Sequence, residues 1–217
     1  MGGGPSLKYV DQELLDRFPC VTMAINHHAH RAGLRTDHCV FIDGVRRNNG
    51  RQDDLQDTWI EILNDPQVTK WTRKEFDNPG EPQIHAGRNV KFFRPCKNTS
   101  IDDFFDSDEY YIGDEQVKPD PDEPGIRFYH LDSMFPAFRI LYELGVRRVY
   151  LLGVDFRSGQ CGQFERFAFM SRKLVMLLPA FRRVGLEVVN CTHDSMLGAY
   201  PQIDFPKHGE VLEEVMM

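Results

Sequence analysis

Ser133–Phe156 reads SMFPAFRILYELGVRRVYLLGVDF, and this block decides the fold class. Asp132 or Ser133 has the side chain of a helix N-cap, and Pro136 falls in the first turn, where a missing N–H does no harm. Phe135, Phe138, Leu141 and Leu144 then recur at helical spacing, and Gly145 stands where a helix C′ residue turns left-handed. Arg148 to Val154 follows as a near-continuous apolar run, the pattern of a strand covered on both faces. A capped helix, a glycine turn and a buried strand put Ser133 and Asp155 at the same end of a sheet.

Outward from this block, short apolar runs alternate with amphipathic ones. Cys20 to Ile25 and Cys39 to Ile42 read as strands ending at Asn26 and Asp43, with a short helix expected between them over 27–34. Tyr9 to Phe18 and Asp54 to Asn64 carry helical spacing, and Asn89 to Arg94 reads as a strand. Phe164 to Val184 reads as a long helix bent or broken at Pro179, Leu186 to Val189 as a strand and 209–217 as a small helix. Ser100 to Gly125 holds ten acidic residues against one lysine, with Pro119, Pro121 and Pro124, so a loop or lid is expected there rather than a core element. The alternation predicts an α/β fold: a single Rossmann-like domain over 1–217, with a mostly parallel sheet flanked by helices and an acidic insertion at about 100–125.

Bulk properties narrow the function. The chain has 217 residues, 41% hydrophobic and 27% charged, which suits a globular protein with one sizeable core. No apolar run approaches the ~20 residues of a membrane span, and none reads as a signal peptide. Five scattered cysteines without CxxC pairs point to free thiols in a reducing, cytoplasmic setting rather than to a zinc site. A net charge of −7 argues against a nucleic-acid partner.

In parallel sheets ligands bind at the carboxyl ends of the strands. The candidates are therefore the polar residues just past each strand: Asn26 and His27, Asp43, Asp155 and Arg157, and the loop Asn190 to Asp194. Asp155 can hold a ribose or ligand hydroxyl, orient a base, or simply cap the next element. At the amino end, MGGGPSL combines glycines that allow close backbone approach, Pro5 for a first helical turn and the Ser6 hydroxyl. It reads either as a flexible end or as a phosphate turn, because it lacks the spacing of GxGxxG and the P-loop lysine. No strand precedes it in the sequence. Either the start lies upstream or the fold runs without that strand, in which case the turn is expected to be poorly anchored.

His130 and His193 are candidate general bases, since imidazole titrates near ~6.5, or else ordinary loop histidines. His27, His28 and His30 lack the i, i+4 spacing of helical zinc ligands. Asp106-Ser107-Asp108 has the DxD form that can hold Mg²⁺, but within an acidic stretch that produces such triplets by chance. No metal ligand set is assigned. Arg46, Arg47 and Arg51 follow the Asp43 strand end and can meet phosphates or an acidic acceptor.

Together, GGGPSL, the strand ending at Asn26 and S-x₁₁-G-x₅-LLGVDF resemble a superfamily. It contains bacterial lipooligosaccharide sialyltransferases, flagellin-modifying motility accessory factors and archaeal-type 6-hydroxymethylpterin diphosphokinases. The sialyltransferase pattern runs G-x-G-P-S-L, a strand ending Asn-Gln, T-S-G opening a helix, L-G-Y, and a strand ending G-I-D-F. It falls on Gly2–Leu7, Asn26–His27, Asp132–Met134, Leu144–Val146 and Gly153–Phe156, and does not extend to 46–127.

The resemblance implies a nucleotide-activated, CMP-linked sugar donor as the partner. Gly2, Gly3, Gly4, Pro5, Ser6, Asn26, His27, Asp43 and Ser133 would bind the nucleotide or donor. It implies transfer to an acceptor hydroxyl by direct displacement, with inversion and with no cofactor required. His193, His130 or Asp155 would act in proton transfer and Arg157 on the leaving phosphate. Met134 stands where the family has glycine, Arg157 where it has tyrosine, and its G-H-S histidine has no counterpart here. An ATP-dependent pyrophosphokinase using Mg²⁺ is the alternative, and a non-catalytic nucleotide-binding module is the third. The acceptor is unidentified, and a homo-oligomer is left open.

Overall fold

A computed structural model describes residues 1–17, 19–41, 53–72, 88–94, 104–106, 111–113, 133–156, 164–192, 195, 197 and 200–201. The chain begins with a 3₁₀ turn, Pro5–Tyr9, followed by α1 (Gln12–Arg17), β1 (Met23–Ile25), α2 (His28–Arg31), β2 (His38–Phe41) and α3 (Asp53–Asn64). Next come β3 (Thr69–Thr72), β4 (Val90–Arg94), β5 (Tyr111–Gly113), α4 (Met134–Glu143), β6 (Arg148–Leu151), α5 (Phe164–Met176), α6 (Leu178–Arg183) and β7 (Glu187–Asn190). No helix among the described residues is long and apolar enough to cross a membrane.

The fold is α/β. One sheet has the order β1-β2-β3-β4-β5, with β1 to β4 parallel and β5 antiparallel to β4. A second, two-stranded sheet pairs β6 with β7 in parallel. Alternate residues along the strands enter opposite cores, as the period of two requires. Met23, Val40, Trp71, Val149 and Val188 join a cluster built on α4 and α6. Ala24, Cys39, Phe41, Leu152 and Val189 join another with Leu7, Leu15, Ile62 and Leu63. Each cluster draws on β1 and β2 as well as on β6 and β7, so the two sheets share both of their covering layers.

Sequence expectations hold for most elements and fail for definite reasons. α4 starts after Ser133, but the Ser133 hydroxyl makes no capping bond. Its backbone is already helical (φ −63°, ψ −16°), not in the extended geometry from which a serine caps. Gly145 has φ 85° and ends α4 as expected. The break near Pro179 comes at Leu177, and Pro179 sits in the first turn of α6, where its missing N–H is harmless.

β3 escaped the sequence reading because Lys70 breaks its apolar pattern, yet Lys70 is wholly buried. Its Nζ donates to the Asp65 and Arg88 carbonyls. The expectation of a non-core acidic segment is corrected at the residues described there. Phe104 and Phe105 pack in the core against Phe135, Tyr142 and Phe181, and Tyr111–Gly113 forms β5. The expected 209–217 helix lies outside the described residues.

Candidate functional site

Gly2–Gly4 crosses the end of β6, joining the two stretches that stood out in the sequence. Gly2 N–H donates to the Leu152 carbonyl at 2.7 Å and Gly4 N–H to the Gly153 carbonyl at 2.8 Å. On the other side the Met1 α-amine donates to the Met23 carbonyl, and Ile25 N–H donates to the Met1 carbonyl. The turn is thus anchored to strands on both sides, which corrects the expectation of a poorly anchored end.

The glycines are needed for space. A Cβ on Gly2 would overlap the Gly153 carbonyl, one on Gly3 the His28 ring and one on Gly4 the Asp155 carboxylate. None of the three has a positive φ, whereas Gly153 does, at 69°.

Ser6 closes the arrangement. Its hydroxyl donates to Asp155 Oδ2 at 2.7 Å, with its backbone N–H at 3.4 Å from the same oxygen. Both residues are buried. A carboxylate beside the start of a short helical turn is electrostatically favoured, as an anion there would be. The Gly2, Gly4 and Ser6 amides are accordingly directed at protein oxygens.

The same rim carries backbone strain. Asn26, just after β1, has φ 57°, and Phe156, just after Asp155, has φ 49°. Asparagine tolerates this region, but for a bulky residue it costs ~1–2 kcal/mol. Thr192 and Ser195 hold the strained turn from the loop after β7. Thr192 Oγ1 accepts from Val154 N–H at 3.0 Å and donates to the Leu151 carbonyl, while Ser195 Oγ donates to the Val154 carbonyl at 2.6 Å. Asn190, a rim candidate from the sequence, is spent inside this loop: its side chain bonds Thr192 N–H and the Leu197 carbonyl.

His27 precedes α2 and its ring lies 4.4 Å from that of His28. Burial, with lesser repulsion from His28 and Arg31, pushes the His27 pKa down to about 4. His28 is lowered as well, again mainly by burial. Both rings are neutral near pH 7, so they can hydrogen-bond a base or a hydroxyl but cannot neutralise a phosphate. His30 instead faces Glu61 of α3 at 3.7 Å. Among the described residues no group of three or more His, Cys, Asp or Glu side chains is arranged to hold a metal ion. Asp106 pairs with Arg183 at 2.7 Å.

The rim therefore gathers Gly2, Gly3, Gly4, Pro5, Ser6, Asn26, His27 and Asp155. Ser133 is buried at the start of α4, whose next residue, Met134, lines the same cavity as Met1, Gly2, Ile25 and Val154. Asp43, His130, Arg157 and His193 lie outside the described residues, as do Arg46, Arg47 and Arg51. Thr192 falls within the Asn190 to Asp194 loop picked out from the sequence, whereas His28, beside the glycine turn, and Ser195, beside the Val154 end of β6, were missed. Only the position of His28 beside Asn26–His27 pointed toward the turn.

Cys20, Cys39 and Cys191 carry free thiols. Burial pushes the Cys191 thiol up to about 12 and raises Cys39 too, which makes both poor nucleophiles. No protein-family model, curated protein or solved structure matches the chain.

Proposed function

We propose that the chain is a Rossmann-like, sialyltransferase-like glycosyltransferase that binds a nucleotide-activated sugar, CMP-linked, at the carboxyl rim of its parallel strands. One observation carries the reading. The glycine turn, the Asn26 end of β1 and the Gly153–Phe156 end of β6 are distant in sequence, yet they meet in hydrogen-bonded contact at one rim.

In this reading the turn acts chiefly by positioning Asp155. Ser6 engages Oδ2, and Oδ1 is the acceptor for a ribose or sugar hydroxyl. The neutral His27 and the Asn26 side chain supply hydrogen bonds to the nucleoside. Charge neutralisation of the leaving phosphate falls to Arg157, and deprotonation of the acceptor to His193 or His130.

The test is a calorimetric binding panel of CMP, CDP, UDP, GDP, ADP and ATP, with Mg²⁺ and with EDTA. Tightest binding of CMP, unchanged in EDTA, is the expected result. Preference for ATP only with Mg²⁺ overturns it in favour of a pyrophosphokinase. CMP binding without donor turnover leaves a binding module.

A further inference from the structure

A cavity of about 730 Å³ lies between β1 and β6. Cys20–Met23 forms one wall and Arg148–Leu152 the other, with Ala137, Phe138 and Leu141 of α4 beneath. Met1 and Gly2 line it and bond to both walls. Met1 donates to the Met23 carbonyl and accepts from Ile25 N–H, the reciprocal pattern of a parallel bridge opposite Ala24. Gly2 donates to the Leu152 carbonyl. The gap there is one strand wide, and Met1–Gly2 already occupies the last rung of a strand parallel to both neighbours.

The rest of the gap has the same polarity. β1 meets β2 through the Thr22 carbonyl and Asn26 N–H, so strand alternation turns the backbone of Val21 and Met23 toward the cavity. β6 meets β7 through the Arg147 and Leu151 carbonyls, which turns Arg148, Tyr150 and Leu152 the other way, into the cavity. Apolar clusters cover the seam from both layers. Any strand lying there would be buried on both faces, which calls for a continuous apolar sequence.

We propose that this seam is a receptor for a parallel β-strand: an extended apolar segment of about five residues at ~3.3 Å each, joined to the α-nitrogen of Met1, that makes β1 and β6 neighbours in one continuous sheet. Covalent continuity is favoured over a separate peptide. A separate strand would bury its own terminal carboxylate against the Met1 ammonium, whereas an amide places a neutral N–H opposite the Met23 carbonyl. Burial pushes the Met1 ammonium down to about 6, a desolvation cost that a neutral amide at the same place does not carry.

The experiment extends the full chain at Met1 with Val-Ile-Val-Val-Ile, with Val-Ile-Pro-Val-Ile, or with Gly-Ser-Gly-Ser-Gly. Thermal unfolding and amide hydrogen exchange are the readouts. The apolar extension is expected to raise Tm by about 5 °C or more over the Gly-Ser form and to slow exchange at Val21 and Met23 by at least about tenfold. Proline should cancel the gain by removing a ladder donor. Equal Tm and equal exchange in all three forms overturn the proposal. So does protection by free Val-Ile-Val-Val-Ile when the fused segment gives none, which would assign the seam to a strand from a partner.

Discussion

Replacing Ser6 by alanine removes a hydroxyl that reaches Asp155 across 149 positions of sequence, at 2.7 Å and out of solvent. A buried hydrogen bond to a charged group contributes about 1.5–3 kcal/mol, and after its removal the carboxylate keeps only the longer contact to Ser6 N–H at 3.4 Å. The truncation creates almost no cavity, so the loss is expected to be about 2 kcal/mol. For a chain of this size that corresponds to a Tm lower by roughly 4–8 °C. Attribution to the pair requires a double-mutant cycle of Ser6→Ala, Asp155→Ala and the double variant, followed by urea unfolding with unchanged m-values. The coupling energy should reach about 1.5 kcal/mol or more. Exchange of the Gly4 amide should accelerate in each single variant, because the turn loses its clasp on β6. A coupling energy below about 0.5 kcal/mol would refute the reasoning, since the bond would then be exchanged for water without loss and the turn would be held by its backbone alone.

Three further outcomes follow from the same geometry. Gly153→Ala and Gly145→Ala both put a side chain at positive φ (69° and 85°), but a Cβ on Gly153 runs into Leu7 whereas nothing lies within 4 Å of one on Gly145. Gly145→Ala should lose ~1–2 kcal/mol and Gly153→Ala at least about twice that by chemical denaturation. Thr192→Val keeps the side-chain shape but strips the buried Val154 N–H of its acceptor, so a loss of about 1–3 kcal/mol is expected; stability within error of the parent would show that the rim turn needs no support from β7. The Met1 amine, lowered from 8.0 to about 6 by burial, binds its proton more weakly in the folded chain. Stability from this group is therefore present above pH 8 and lost as pH falls to 6, about 3 kcal/mol at ~1.4 kcal/mol per pH unit. Nα-acetylation should flatten that part of the stability–pH curve. His27 acts in the same direction between its ordinary 6.5 and about 4.

Local chemistry made the elements legible. The apolar spacing from Phe135 to Leu144, the left-handed Gly145 and the run from Arg148 to Val154 each express a short-range rule, and each element appears within a few residues of where that rule puts it. The same rules also misled. The lysine of TKWT concealed β3, because nothing in a four-residue window shows that two distant carbonyls receive its ammonium. Acidic composition concealed Phe104 and Phe105, whose burial depends on α4 and α6.

By itself, then, the sequence determined an α/β chain with strands apolar on both faces, and it singled out the glycine turn and the Gly153–Phe156 strand end as unusual. Their meeting was decided only by the tertiary structure. Ser6 and Asp155 are an ordinary serine and an ordinary aspartate until the turn is laid across β6, and the requirement for glycine at Gly2 and Gly4 comes from atoms some 150 residues away in the chain. Periodicity reports which face of an element is apolar. Which edge lies beside which is settled by packing and by hydrogen bonds that close only when the whole sheet is assembled.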